Sequence, residues 1–128
     1  MVEGHEAPPI INNGVMFVAT PMGQVIALNA KTGDEYWRYK RQLPDDLFQL
    51  HPTNRGVGLW QDKAVSWPRR TTMWSRSMPR PAKCVWDTKV QDYKKGQYLT
   101  LMPLVVDGKV IVGGSGGELR RARLRRCV

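Results

Sequence analysis

Residues 9–39 read PIINNGVMFVATPMGQVIALNAKTGDEYWRY. Two short β-favouring runs flank Asn13-Gly14, a pair suited to the positive φ angles of a tight hairpin turn. The run QVIALNA (24–30) alternates as a half-buried strand does. AKTGDE (30–35) then supplies another turn, with Gly33 free to take positive φ. A further short run carries Trp37.

The pattern returns. PLVVDGKVIVG (103–113) matches PIINNGVMFVA (9–19), so that Pro9 and Pro103, Gly14 and Gly108, and Val18 and Val112 are each 94 residues apart. Midway lies LWQDKAV (59–65), a weaker copy with Asp62 where the glycine would stand. Trp86, in VWDTKV, follows Trp37 by 49 residues. Antiparallel strands closing on a tryptophan, at a repeat of about 40–50 residues, are what a β-propeller blade looks like in sequence. An unrelated antiparallel β-domain would make the repeat a coincidence. The expected fold is therefore all-β: a partial β-propeller of about two antiparallel four-stranded blades.

Charge is unevenly spread. The 128 residues carry a formal net charge of +9, and 41% of them are hydrophobic, enough to build a core. A basic balance of this size usually points to nucleic acid or an anionic surface. Residues 66–84 and 119–128, however, hold ten of the 20 basic residues, no acid and both cysteines, Cys84 and Cys127. The remaining chain has ten basic residues against 11 acidic ones and no cysteine, so it says nothing about redox compartment. No leader is read ahead of the first run, and no apolar stretch approaches the roughly 20 residues of a membrane span. The chain begins in mid-pattern, as a fragment would.

ALNAKTGDEYW (27–37) resembles the tryptophan-docking repeat of the PQQ-dependent (quinoprotein) alcohol dehydrogenases of the methanol/ethanol type. These are eight-bladed propellers holding pyrroloquinoline quinone and a metal ion. HEAPPI (5–10) resembles the family's Glu-Ala-x-Pro segment. TNRGVGLW (53–60) resembles its Asn-Arg-Gly segment. YLTLMPLVVDGKVIVGGSGGEL (98–119) resembles the strand pair that ends in Ser-Gly-Ala-Glu. The motifs come in the family's order. The resemblance covers roughly three-quarters of the chain, as an N-terminal portion of such an enzyme. Trp37 and Trp86 then read as docking residues between blades, and His5 and His51 as isolated loop residues.

Alcohol oxidation requires a hydride acceptor, a Lewis acid and a base for the hydroxyl proton. PQQ carries carboxylates and carbonyl oxygens, so its pocket wants donors and cations. By resemblance, Glu6 bonds the quinone rim, Arg55 offers its fork of donors to a PQQ oxygen or carboxylate, and Thr100 bonds a carboxylate. Ser115, Gly116 and Gly117 resemble the loop that cradles a PQQ carboxylate through hydroxyl and backbone donors. Glu118 resembles the carboxylate ligand of Ca²⁺ or a lanthanide, a hard cation that takes oxygen ligands. The bland counterparts are a surface acid, a solvated loop arginine, a strand threonine and a glycine-rich turn. The glycines fit neither a dinucleotide fingerprint nor a P-loop.

The resemblance also implies a small alcohol substrate, a cytochrome c-type electron acceptor, a periplasmic location and a homodimer of the full-length enzyme. The family's catalytic aspartate, asparagine metal ligand and tryptophan floor lie further along than this chain extends. The catalytic base has no candidate here, and the chain alone should be inactive and poorly stable, with open strand edges. Two departures stand out. QLHPTNRG (49–56) lacks the adjacent cysteines many members carry there, and Gly117 stands where alanine is usual. Two other function classes remain: a non-catalytic PQQ-like repeat propeller used as a scaffold, and a basic nucleic-acid-binding module resting wholly on the two basic windows.

Those windows interrupt the pattern for a reason the genetic code suggests. Read two nucleotides later, the codons allowed by SWPRRTTMWSRSMPRPAK (66–83) permit LAATDDDVVALDATTGK, a second docking repeat leading into VVWDT. Read one nucleotide later, those allowed by RRARLRRC (120–127) permit GVRGYVAA, which the family would place after SGGE. The hypothesis is that 66–84 and 119–128 are frameshifted readings within one propeller domain, and nucleic acid is then not a partner. Sequencing the source DNA tests it. Slips of one or two bases that restore both segments are expected; the printed frame, intact in an expressed gene, would overturn it.

Overall fold

The computed structural model describes residues 5–42, 53–61, 63–66, 70–75, 84–89, 99–113 and 119–122. They form eleven strands in three antiparallel sheets. Sheet 1 is a meander of β1 (Ile10–Asn12), β2 (Val15–Thr20), β3 (Gln24–Asn29) and β4 (Glu35–Lys40). Sheet 2 repeats it with β5 (Gly58–Trp60), β6 (Lys63–Ser66), β7 (Arg70–Ser75) and β8 (Cys84–Lys89). Sheet 3 holds β9 (Leu104–Val106), β10 (Lys109–Gly113) and β11 (Leu119–Ala122), in the order β11-β10-β9. Two four-stranded propeller blades are thus followed by three strands of another. Among the described residues no helix is long and apolar enough to cross a membrane.

The hairpins form where the glycine pairs sit. Asn13 and Gly14 take φ of 48° and 74°, and Asp107 and Gly108 take 48° and 65°. Positive φ at both central residues is the type I′ turn, whose twist matches that of the flanking strands. The longer turn into β4 is closed by side chains. Asn29 Oδ1 accepts from the Lys31 and Thr32 amides at 2.9 and 3.2 Å, and Gly33, at φ 81°, donates to the Asn29 carbonyl at 2.9 Å.

Both tryptophans take one register position. Trp37 on β4 lies opposite Ala27, with a bulge directly after Ala27, and Trp86 on β8 lies opposite Met73, with a bulge directly after Met73. Trp37 is buried, its ring 6.0 Å from that of Phe17 and tilted by 53°. The first basic window interrupts the sequence pattern yet contributes β7, and part of the second contributes β11. Strand pairing uses backbone groups, and Thr71, Thr72 and Trp74 are strand formers.

The first two strands of sheet 2, β5 and β6, pack on both faces. Leu59 and Ala64 are cross-strand partners, and both pack with Phe17, Val25, Ala27 and Trp37 of sheet 1. The neighbouring pair, Gly58 and Val65, points the other way. Val65 packs with Leu99, Val110 and Val112, and with Val105 of β9. β6 therefore reads as a continuous buried run from Ala64 to Ser66 rather than an alternating one. Gly58 is the point of closest approach. A Cβ there would lie 2.8 Å from the Pro103 carbonyl oxygen and 2.9 Å from Val105 Cγ2.

Gly58→Ala is expected to cost about 1–3 kcal/mol, because backbone must move to admit the methyl group. Gly113→Ala should cost less, since its Cβ would meet Leu101 Cδ1, the tip of a half-exposed side chain, rather than backbone. Urea midpoints of the two variants check the order.

Candidate functional site

The three sheets begin alike. Glu6 lies four residues before β1, Arg55 three before β5, and Thr100 four before β9. Glu6 and Thr100 are 94 residues apart, the spacing of the repeated hairpin. Stacking the sheets side by side brings these lead-in segments together. Each sheet then supplies one polar side chain to the same spot.

Arg55 sits at the centre. Its Nε donates to Glu6 Oε2 at 3.1 Å, and its Nη1 donates to Thr100 Oγ1 at 2.9 Å. Its backbone N–H donates to the Thr100 carbonyl at 3.0 Å. Two residues far apart in sequence thus hold one guanidinium in a fixed orientation. The Arg55 and Glu6 side chains are both about half exposed, so the ion pair's strength is screened by solvent and its value lies in geometry. Thr100 Oγ1 accepts from Arg55 and keeps its own O–H to donate. The cluster offers guanidinium and hydroxyl donors on one side and a carboxylate acceptor on the other.

The loop carrying Arg55 is anchored from beneath. Asn54 is buried; its Oδ1 accepts from the Gly56 amide at 3.1 Å, and its Nδ2 donates to Ser66 Oγ on β6 at 3.1 Å. An Asn closing on the amide two residues ahead is a local turn that mimics a backbone turn. Gly56 takes φ 140°, and a Cβ there would meet Met102 Sδ at 3.1 Å. Only glycine suits that position. Asn54 and Ser66 were not among the residues singled out from sequence, although the Asn-x-Gly spacing carried the signal.

Of the residues expected at the site, Glu6, Arg55 and Thr100 come together. Ser115, Gly116, Gly117 and Glu118 lie outside the described residues, as does His51. His5 is an exposed loop residue. Among the described residues no three His, Cys, Asp or Glu side chains gather to hold a metal. A separate ion pair, Glu35 with Arg38 at 2.6 Å, lies on β4. The Arg38 hydrogen bond holds the Glu35 carboxyl below the usual carboxylate range, on a partly exposed edge strand away from the cluster.

The glucose/ethanol/alcohol dehydrogenase β-propeller profile of the PQQ proteins matches residues 2–79, more than half of the chain. The chain belongs to the PQQ dehydrogenase family. A quinoprotein alcohol dehydrogenase of Pseudomonas putida, PedH, is 34% identical over 116 residues, covering 90% of this chain and 19% of that protein. A 1-butanol dehydrogenase (cytochrome c) of Thauera butanivorans is 31% identical over 119 residues, covering 90% and 17%. The solved quinohemoprotein alcohol dehydrogenase of Comamonas testosteroni superposes with a TM-score of 0.77 at 29% identity, over 90% of this chain and 18% of that one. This PQQ-family chain thus spans about a fifth of the length of the curated relatives it matches.

Asn54→Ala removes an acceptor from the buried Gly56 amide and a donor from Ser66. We expect a loss of about 1–3 kcal/mol and faster hydrogen exchange at the Gly56 and Arg55 amides, measured by NMR.

Proposed function

We propose that this chain contributes one wall of the PQQ site of a quinoprotein alcohol dehydrogenase. The observation that carries the reading is the Arg55 guanidinium held between Glu6 and Thr100, one residue from each sheet. The donor set suits an acidic quinone. Arg55 would face its carboxylates or ring oxygens, the Thr100 hydroxyl would donate to a carboxylate, and Glu6 would keep Arg55 oriented while accepting from the rim. A solvated loop arginine would need none of these fixed partners.

PQQ, when bound, supplies the hydride acceptor. What these residues do is bind and orient. Arg55 neutralises negative charge, and the Asn54–Ser66 anchor stops its loop from drifting. Ser115, Gly116 and Gly117 would add donors from sheet 3. Glu118 would supply a carboxylate to a Ca²⁺ or lanthanide ion. The catalytic base, the remaining metal ligands and the opposite wall of the pocket would come from a longer chain, so the 128 residues alone would not turn over alcohol.

The complete protein would take a small primary alcohol and pass electrons to a cytochrome c, in the periplasm. The name of the Thauera relative supports that acceptor. The frameshift reading of 66–84 and 119–128 belongs to the same proposal, since it leaves the rest of the chain near neutral and without a nucleic-acid footprint. A purely structural scaffold would need the tryptophan repeat but not an oriented arginine.

Equilibrium dialysis of the chain against PQQ tests the wall. Saturable binding is expected, and Arg55→Ala should weaken it by about 10- to 100-fold, the worth of one or two hydrogen bonds to a charged group. Arg55→Ala binding as tightly as the parent chain would overturn the reading.

A further inference from the structure

The turn between β1 and β2 is Asn13-Gly14. Both residues are exposed, and a Cβ built on Gly14 would meet nothing within 4 Å. An asparagine followed by glycine carries a reaction of its own. The Gly14 amide nitrogen attacks Asn13 Cγ, forming an N–Cγ bond and expelling the side-chain nitrogen as ammonia. Water then opens the cyclic imide at either carbonyl, leaving aspartate or isoaspartate. Asparagine and water give the acid and ammonia, with no oxidant or reductant. Glycine lacks the side chain that would otherwise shield the attacking nitrogen.

The turn geometry brings these atoms within one rotation of each other. Asn13 and Gly14 both have positive φ, 48° and 74°, as a type I′ turn requires. The type II′ turn keeps positive φ at its first central residue and makes the second negative, which glycine adopts as readily. The two forms differ by a flip of the central peptide, and both close a two-residue hairpin. Asn12 and Val15 therefore stay paired while the flip swings the Gly14 nitrogen to the side of Asn13 Cγ.

The other asparagines are held away from this reaction. Asn12 lies in the β1–β2 ladder and is followed by a residue with a side chain. Asn29 Oδ1 is turned to the Lys31 and Thr32 amides. Asn54 is buried, with its side chain bonded to Gly56 and Ser66. The turn equivalent to Asn13-Gly14 in sheet 3 is Asp107-Gly108, and the Asp107 carboxylate, paired with Lys109 Nζ at 2.9 Å, is a poor electrophile.

We propose that Asn13 is a site of spontaneous deamidation whose isoaspartate product loosens β1. Plain aspartate fits the turn, since Asp107 has the same φ of 48°. Isoaspartate does not fit, because the main chain then runs through its side-chain carbon and gains a methylene in a turn with room for two residues. β1 is three residues long and, among the described residues, pairs only with β2. Its Ile10, opposite Phe17, packs against the buried core of sheet 1. A shifted register would carry Ile10 off that core. The inference stands on turn chemistry and is independent of PQQ.

The test incubates the 128-residue chain in neutral buffer, folded and in urea, and maps its peptides by fragmentation mass spectrometry. In the folded chain Asn13 should gain the mass difference between amide and acid at least about tenfold faster than Asn12, Asn29 or Asn54. Its rate should lie within about tenfold of its own rate in urea, because the flip leaves the strands paired. Labelling by an isoaspartyl methyltransferase should rise with the mass change. Asn13→Gln should show no gain over the same period, since glutamine must close a larger ring; Gln61 takes φ 52° in the turn after β5, so the variant should fold. Asn13→Asp should match the fresh parent in circular dichroism and thermal midpoint, while the isoaspartate form should melt several degrees lower. Comparable rates at the other asparagines would overturn the proposal. So would an Asn13 slowed more than about tenfold by folding, or an isoaspartate form as stable as Asn13→Asp.

Discussion

Ala64 and Val65 are adjacent on β6 and point to opposite sides, and both are completely buried. That two-sided burial is the constraint on which the structure depends. A strand pair with one wet face can stand at the edge of a fold, but a pair with none must have a neighbour on each side. The pair β5 and β6 therefore fixes sheets 1 and 3 by contact, through Phe17 and Trp37 on one side and Val110 and Val112 on the other. Burying apolar side chains of this size contributes about 1.5–3 kcal/mol each, far more than any exposed ion pair in the chain. The close approach at Gly58 is a consequence, because only a residue without a Cβ lets β5 pass the Pro103 carbonyl.

The polar site follows from the same stack. Repeated sheets begin with repeated lead-in segments, and stacking sets those segments side by side. Glu6, Arg55 and Thr100 meet because sheets 1, 2 and 3 meet. Asn54 ties the central segment down through Ser66, at the end of β6 itself. The strand that organises the apolar core thereby also steadies the guanidinium. An oriented, half-exposed arginine with a hydroxyl beside it suits a ligand rich in carboxylates and carbonyl oxygens, which is the character of the cofactor named by the family.

Much of the fold could be read from the residues. Asn13-Gly14 and Asp107-Gly108 announce their turns because few other pairs tolerate positive φ at both positions. Trp37 and Trp86 announced the repeat, and their shared place opposite a bulge explains why their spacing is regular. The site was legible in a different way. Arg55, Glu6 and Thr100 were picked out by family resemblance, and no periodicity joins an arginine to residues 49 positions before it and 45 after. Asn54 escaped because a buried asparagine and a solvated one look alike in sequence, and burial is decided by what the neighbouring sheet covers. The strand in the basic window was hidden for the converse reason: its side chains break the pattern, while pairing requires only backbone. Ser115 to Glu118 lie outside the described residues, so their place at the site stands on resemblance alone.

The central claim is that PQQ meets this chain at the junction of the three lead-in segments. Amide hydrogen exchange of the chain, with and without PQQ, tests it most directly. The Arg55 amide, bonded to the Thr100 carbonyl, reports the junction itself. The account predicts that PQQ slows exchange at Arg55, Gly56 and the residues flanking Glu6 and Thr100, while β2 and β3 are unchanged. Protection confined to another part of the chain, with these amides unaffected, would contradict it.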